Sequence, residues 1–211
     1  MSEVEHLKAL VLEAEDTVSF LSNERKQERE RSVCAALLRC LGIDFYTEEI
    51  VSSTDEPPDV VFREARFEVL LMLDEGRRLH EDWKSEAERR RSAGSSDNLW
   101  EDWTTPGPLS YGVVISLVTK ALNKKAEHYS KNVGANLDAL IYLNLKGKYL
   151  DTDSPLPSLD PLRSQGWRSV SILMPQYGRV LYAEPSAPSF LRNLVGRTMS
   201  EWKSSPSPFN L

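Results

Sequence analysis

The chain has 211 residues, of which 40% are apolar and 27% charged, a composition typical of globular proteins. It contains no run of about 18 apolar residues and its acidic start lacks the pattern of a signal peptide, so we expect a cytoplasmic protein without a membrane span. The net charge of −6 argues against a general nucleic-acid binder, because such proteins usually present a basic face to phosphates.

Two helices are predicted at the start of the chain. Apolar residues at helical spacing over residues 3–21 predict an amphipathic helix with a mostly acidic outer side. We expect this helix to pack on the core or on a partner subunit, so a protein partner or a homodimer through it is one expectation. A second helix is predicted over residues 24–41. Its Cys34 and Cys40 have neither CxxC spacing nor a disulfide framework, and we expect both to be small buried side chains.

One acid of the second helix, Glu30, lies in register with the apolar stripe of that helix. An acid in this register could point towards a neighbouring sheet. Alternatively, Glu30 belongs to the alternating charges of residues 24–31 and faces solvent, which is the more common arrangement for a charge run.

Residues 57–72 predict two strands joined by a tight turn, after a first strand over residues 43–51. The hairpin carries one acid at the start of its first strand, Asp59, and one within its second strand, Glu68. Two carboxylates on a buried sheet are costly without a cation, and hard oxygen ligands suit Mg²⁺. Alternatively, Asp59 caps the start of its strand and Glu68 faces solvent.

The pairing register of this hairpin decides how the acids are arranged. If Glu64-Ala65 is the turn, Arg63 pairs with Arg66 and Asp59 lies opposite Leu70. Alternation then places both acids and Leu70 on one face, with the two carboxylates as diagonal neighbours.

A charged insertion, or lid, is predicted over about residues 77–105, as a charged helix followed by a loop with Trp100 and Trp103. The helix predicted over residues 109–131 has a continuous apolar face, and Lys120, Lys124, Lys125 and Lys131 line its polar side. The remaining predicted elements are a buried strand (138–146), two short strands (169–174 and 179–182) and a last helix (189–203).

This order of elements predicts a mixed α/β fold in which helices flank a mixed central β-sheet. We divide the chain into an N-terminal helix (1–22), a core (23–185) that contains the insertion, and a C-terminal helix with a loose tail (186–211).

The same order, with Pro58-Asp59 on one strand and Phe67-Glu68-Val69-Leu70 on the next, resembles the core of the PD-(D/E)XK restriction-endonuclease-like superfamily. Together with the following segment, residues 74–80, it resembles more narrowly a bacterial family of unknown function described as putative endonucleases. The resemblance covers roughly residues 24–183.

The resemblance implies a metal-dependent nuclease in which Asp59 and Glu68 bind Mg²⁺, with Glu30 as the further acid of the first core helix. The superfamily usually has a lysine two residues after the second acid, and Leu70 stands there instead. Lys120 or Lys124 could supply that charge from the neighbouring helix, since such migration is known in the superfamily.

The segment after the hairpin adds Arg77, Arg78 and His80, which could contact the phosphates of a nucleic-acid substrate. Alternatively, these residues pair with the acids beside them. The leucine and the acidic net charge favour a second hypothesis, namely a non-catalytic protein-interaction or oligomerisation module on the same fold.

Overall fold

The computed structural model describes residues 2–55, 57–99, 105–129, 133–175 and 177–200. Within this part, the helices are α1 (Glu3–Phe20), α2 (Lys26–Cys40), α3 (Leu79–Ser92), α4 (Tyr111–Ala126), α5 (Asp160–Arg163) and α6 (Ser189–Arg192). The strands are β1 (Ile50–Ser52), β2 (Val60–Phe62), β3 (Ala65–Leu73), β4 (Gly107–Leu109), β5 (Asp138–Asn144), β6 (Lys148–Leu150), β7 (Ser169–Met174), β8 (Tyr177–Ala183) and β9 (Thr198–Ser200). None of the described helices is both long and apolar enough to cross a membrane.

Seven strands form the central sheet in the order β1-β2-β3-β5-β7-β8-β9. The pairs β3–β5 and β5–β7 are parallel, and the pairs towards both edges are antiparallel. Strand β7 is buried along its whole length and β5 along all but its last residue, as expected for central strands with both faces covered. The predicted mixed α/β fold is confirmed. Strands β4 and β6 form a separate two-stranded sheet.

Helices cover both faces of the central sheet. On one face α2 packs its apolar stripe, including Leu37 and Leu38, against β2, β3, β7 and β8. On the other face α4 contributes Val114, Val118 and Leu122 to a second apolar cluster. Strand β3 therefore lies between two helical layers, and the alternate side chains of β3 point to different helices.

The first helix packs against α3, the helix of the predicted insertion. Arg90 donates to the carbonyl oxygen of Leu10 at 2.8 Å and lies 3.0 Å from Glu13 Oε2. Arg91 is 2.6 Å from Glu15 Oε1. The acidic side of α1 therefore meets the basic end of α3 within the chain, while Trp100 and Trp103 lie outside the described residues.

The hairpin register differs from the prediction. The two-residue turn is Arg63-Glu64 and Phe62 pairs with Ala65, so every partner is shifted by two residues. Arg63 adopts a φ of 51°, a left-handed conformation that non-glycine residues seldom take. A shift of two preserves which face each side chain occupies, because the side-chain period of a strand is two.

Two predicted element boundaries were also wrong. The strand predicted over 43–51 begins only at Ile50, after a 3₁₀ turn at Thr47–Glu49. Of the helix predicted over 189–203, the structure has the single turn of α6, followed by Gly196 with a φ of 78° and then β9. The prediction that Cys34 and Cys40 are small buried side chains is confirmed.

Candidate functional site

Three of the predicted acids meet near one end of strands β2 and β3. Asp59 lies just before β2, and its backbone amide donates to the carbonyl oxygen of Phe67 on β3 at 3.0 Å. The amide of Val69 donates to Asp59 Oδ2 at 2.9 Å and holds this carboxylate beside β3. Glu30 reaches the same place from α2. All three acids are buried, with exposed fractions of 8% for Glu30, 8% for Asp59 and 2% for Glu68.

Two lysines neutralise these carboxylates. Lys26, the first residue of α2, places its Nζ 3.3 Å from Glu30 Oε1 and 3.4 Å from Asp59 Oδ1. Lys125 of α4 forms an ion pair with Glu68 Oε1. The side chain of Lys26 is 53% exposed and its contacts are long, whereas that of Lys125 is 32% exposed. Lys26 is therefore the looser partner of the two.

Burial and mutual repulsion raise the pKa values of two of the acids. Burial is the main cause that raises the pKa of Glu30 to about 7, the charge of Asp59 raises it further, and Lys26 opposes the rise. Burial also raises the pKa of Glu68, with Asp59 adding to the effect while Lys125 and Tyr129 counteract it. Burial, with the charge of Asp59 adding to it, therefore keeps the pKa of Glu30 close to neutral pH.

The structure brings Lys125 to the acids rather than Lys120 or Lys124. Lys125 lies seven residues after Val118 and three after Leu122, in line with the face of α4 that contacts the sheet. Lys120 and Lys124 lie on the outer side of α4, where they line a hollow beside Pro161. Neither expected lysine therefore reaches the acids. The prediction that Lys125 lies on the polar side of α4 was wrong. Its spacing from Val118 and Leu122 was the signal that could have identified it.

Leu70 lies on the predicted face of β3, but the observed register does not pair it with Asp59. It shares the face of Glu68 and packs, partly buried, against the apolar cluster under α4. The charged group on this side of Glu68 therefore comes from the helix above the sheet and not from the strand itself.

The predicted substrate-binding residues lie at the other end of the sheet. Arg77 donates to the carbonyl oxygen of Asn144 at 2.8 Å and forms an ion pair with Asp82 at 2.6 Å. Glu68 is level with Ala139, five residues before Asn144 on β5, which corresponds to about 16 Å. Arg78 and His80 follow at the start of α3, where His80 Nδ1 lies 3.6 Å from Glu81. These three residues are not brought together with the acids.

A buried acid that the sequence analysis missed fixes the strands beside the site. Asp138, the first residue of β5, is fully buried and pairs with Arg168. It also accepts hydrogen bonds from the backbone amide of Arg66 at 2.9 Å and from Ser169 Oγ at 2.7 Å. These contacts join the starts of β3, β5 and β7. An acid at the head of an otherwise apolar strand was the available signal.

The carboxylate donors near this end of β2 and β3 suit Mg²⁺ in number and kind. Asp59 and Glu68 provide two buried carboxylates on adjacent strands, and Mg²⁺ often binds one or two carboxylates while it keeps several waters. Within the described ranges, no group of three or more His, Cys, Asp or Glu side chains is arranged to hold a metal ion. Asp59 and Glu68 therefore fit a Mg²⁺ site with two carboxylate ligands. In this structure Lys26 and Lys125 balance the charge of these carboxylates.

Comparisons with known proteins identify the family. A family model described as "Putative endonuclease, protein of unknown function (DUF1780)" matches residues 2–204. A solved structure of a protein of unknown function from Pseudomonas aeruginosa strain PAO1, described as belonging to the monooxygenase superfamily, is 32% identical. That match covers 100% of both chains with a TM-score of 0.68. No curated protein matches. The chain belongs to the DUF1780 family.

Proposed function

We propose that this family member is a Mg²⁺-dependent nuclease with a restriction-endonuclease-like core that acts on nucleic-acid phosphodiesters. The observation that carries the proposal is the ion pair between Lys125 and Glu68 beside Asp59. It combines two carboxylates with a lysine in one place, although the strand itself has Leu70 where the superfamily usually has that lysine. The family description as an endonuclease supports the same class of reaction.

The order of the elements supports the restriction-endonuclease-like core. Helix α2 carries Glu30, the β2–β3 hairpin carries Asp59 and Glu68, and α4 then leads into β5, which lies parallel to β3. This is the order that the sequence resemblance implies. The helix α3 with its following loop interrupts it between β3 and α4, in the place of the predicted insertion.

Each residue has a role that follows from its contacts. Asp59 and Glu68 would hold Mg²⁺, which when bound neutralises charge on a phosphate and lowers the pKa of a coordinated water. Lys125 would orient the attacking water and offset the charge that develops on the phosphate. Glu30 would act as the additional acid beside Asp59. Arg77, Arg78 and His80 would contact only a distant part of a bound strand.

A specific observation also favours the non-catalytic alternative. Lys26 and Lys125 already balance the buried carboxylates, so the acids do not need a metal ion to be buried. In this alternative the site is structural, and the chain binds a protein partner or a second copy of itself. The exposed apolar side chains of α1, Val4 and Leu12, would then belong to the contact.

Metal titration separates the two hypotheses. Calorimetric titration of Mn²⁺ into wild type is expected to show binding that both Asp59→Ala and Glu68→Ala remove. Cleavage of single-stranded and duplex DNA and of RNA in Mg²⁺ would be followed in parallel. Wild type that neither binds Mn²⁺ nor cleaves any of these substrates would refute the nuclease proposal and leave the structural alternative.

A pair of adjacent lysines provides the matched control. Lys125→Met is expected to retain Mn²⁺ binding and to lower the cleavage rate on the order of a hundredfold, because a charge that stabilises the transition state is lost. Lys124→Met removes the same charge from the outer side of α4 and is expected to cleave at the wild-type rate. Equal rates for the two variants would refute the role assigned to Lys125.

A further inference from the structure

An arginine beside the acid cluster has no assigned role. Arg66 precedes Glu68 by two residues on β3, so the two side chains emerge from the same face about 7 Å apart. The side chain of Arg66 is exposed, and its Nη2 donates to the carbonyl oxygen of Pro57 at 3.3 Å. Since Pro57 precedes Asp59 by two residues, this contact holds the guanidinium close to the acid cluster.

The backbone of Arg66 is firmly anchored. Its amide donates to Asp138 Oδ2, and that carboxylate is fixed in turn by Arg168 and Ser169. The position therefore combines a backbone that is held by a buried network with a side chain that reaches solvent. Such an arrangement presents a charged group in a defined place, which reduces the cost of ordering it when a ligand binds.

Within the part of the chain that the structure describes, Arg66 forms no ion pair with an acidic side chain. Other exposed arginines form ion pairs with neighbouring acids, such as Arg63 with Glu49 and Arg91 with Glu15. Among the described residues, the recorded side-chain contact of Arg66 is to the neutral Pro57 carbonyl. Most of its five N–H donors are thus available to a ligand that approaches the acids.

We propose that Arg66 binds a backbone phosphate of the nucleic acid next to the phosphodiester that is cleaved. This inference rests on the proposed function. A guanidinium presents paired donors that match a phosphate, and its positive charge would attract an anionic substrate to the site. Arg66 is thus a binding residue whose contacts are independent of the base sequence.

Salt-dependent DNA binding tests the inference. The affinity of a fluorescent DNA duplex would be measured by anisotropy over a series of salt concentrations, with Ca²⁺ in place of Mg²⁺ to suppress cleavage. Arg66→Ala is expected to bind about tenfold more weakly and to lower the slope of log affinity against log salt by about 1, the value for one lost phosphate contact. Arg66→Lys is expected to retain most of the slope, because the charge remains.

Arg63→Ala is the matched control. It removes the same charge from the same hairpin, where the arginine already pairs with Glu49, and is expected to keep the wild-type slope. Thermal unfolding of each variant verifies folding. Wild-type affinity and slope in Arg66→Ala, an equal loss in both variants, or no DNA binding by wild type would each overturn the inference.

The Mn²⁺ titration and the cleavage assay, run in parallel, show whether a negative result refutes the role of Arg66 or the nuclease proposal itself. Wild type that binds Mn²⁺ and cleaves DNA, with Arg66→Ala binding DNA normally, would reject the role of Arg66 and leave the nuclease proposal intact. Wild type that neither binds Mn²⁺ nor cleaves DNA would reject the nuclease proposal.

Discussion

Replacing Glu30 with glutamine should change how the stability of the metal-free protein depends on pH. Burial and the nearby charge of Asp59 raise the pKa of Glu30 from 4.5 to about 7. In the unfolded chain this carboxyl loses its proton near 4.5, whereas the folded protein retains the proton until about pH 7. Between these values the folded state binds more protons, so wild-type stability falls as the pH rises. Glutamine stays neutral and removes this contribution.

The magnitude follows from the size of the pKa rise. At about 1.36 kcal/mol per pH unit, a change from 4.5 to about 7 gives an upper limit of about 3 kcal/mol. Solvent reaches the site through Lys26, whose side chain is 53% exposed, and screening there reduces the effect. We therefore expect Glu30→Gln to gain about 1–2 kcal/mol relative to wild type between about pH 5 and pH 8.

Urea unfolding in the presence of EDTA, followed by tryptophan fluorescence, measures this difference at both pH values. The exposed Glu88 on α3 provides a control, because Glu88→Gln removes a carboxylate outside the cluster. A free-energy difference between wild type and Glu30→Gln that is the same at both pH values would refute the reasoning. It would mean that Glu30 ionises in the folded protein as it does in the unfolded chain.

Three further changes test the contacts around the core and the site. Gly178→Ala should lower the free energy of unfolding by about 1–3 kcal/mol, since the added Cβ would lie 2.8 Å from the Cβ of Cys40. Asp138→Ala should cost about 3–5 kcal/mol, because its arginine partner would be left near the core without its counter-charge. Both values can be measured by urea unfolding. Lys26→Met should bind Mn²⁺ about tenfold more tightly, as measured by calorimetry, because a competing cation beside the acids is removed.

Controls for these variants come from the same chain. Gly94→Ala should leave stability unchanged, since nothing lies within 4 Å of its added Cβ, and a loss equal to that of Gly178→Ala would contradict the steric argument. Asp138→Asn should be milder than Asp138→Ala, because the amide oxygen can still accept hydrogen bonds. Weaker or unchanged Mn²⁺ binding by Lys26→Met would show that Lys26 does not compete with the metal ion.

The sequence predicted the faces of the hairpin but not its register. Alternation alone decides that Glu68 and Leu70 share a face, and this remains true after a shift of two residues. The register depends on the turn, and Arg63 adopts a left-handed conformation there without the glycine or asparagine that usually marks it. The paired part of the hairpin ends at Val60, and the amide of Val69 holds the Asp59 carboxylate beside β3. This contact, and not the predicted pairing with Leu70, places Asp59 beside Glu68.

The lysine of the site is determined by contacts that are distant in the sequence. Lys120 and Lys124 were predicted because the resemblance allows a lysine of the neighbouring helix to replace the one missing at Leu70, but both lie on the outer side of α4. Lys125 continues the apolar face and is brought to Glu68 only when α4 packs on the sheet. Helical periodicity could have placed it on that face. Which acid it would meet depended on the parallel pairing of β3 with β5, because that pairing sets where α4 crosses β3.

The balance of charge around Asp59 connects the two functional hypotheses. With Glu30 protonated, the remaining carboxylates of Asp59 and Glu68 are matched by Lys26 and Lys125, so the metal-free site is close to neutral. Binding of a divalent cation would therefore require a positive group to leave, and Lys26 has the longer contacts and the greater exposure. A structural site would keep both lysines in place, whereas a nuclease site needs one of them to be exchangeable. The effect of Lys26→Met on Mn²⁺ affinity therefore tests whether the acid cluster is a metal-binding nuclease site or a structural site.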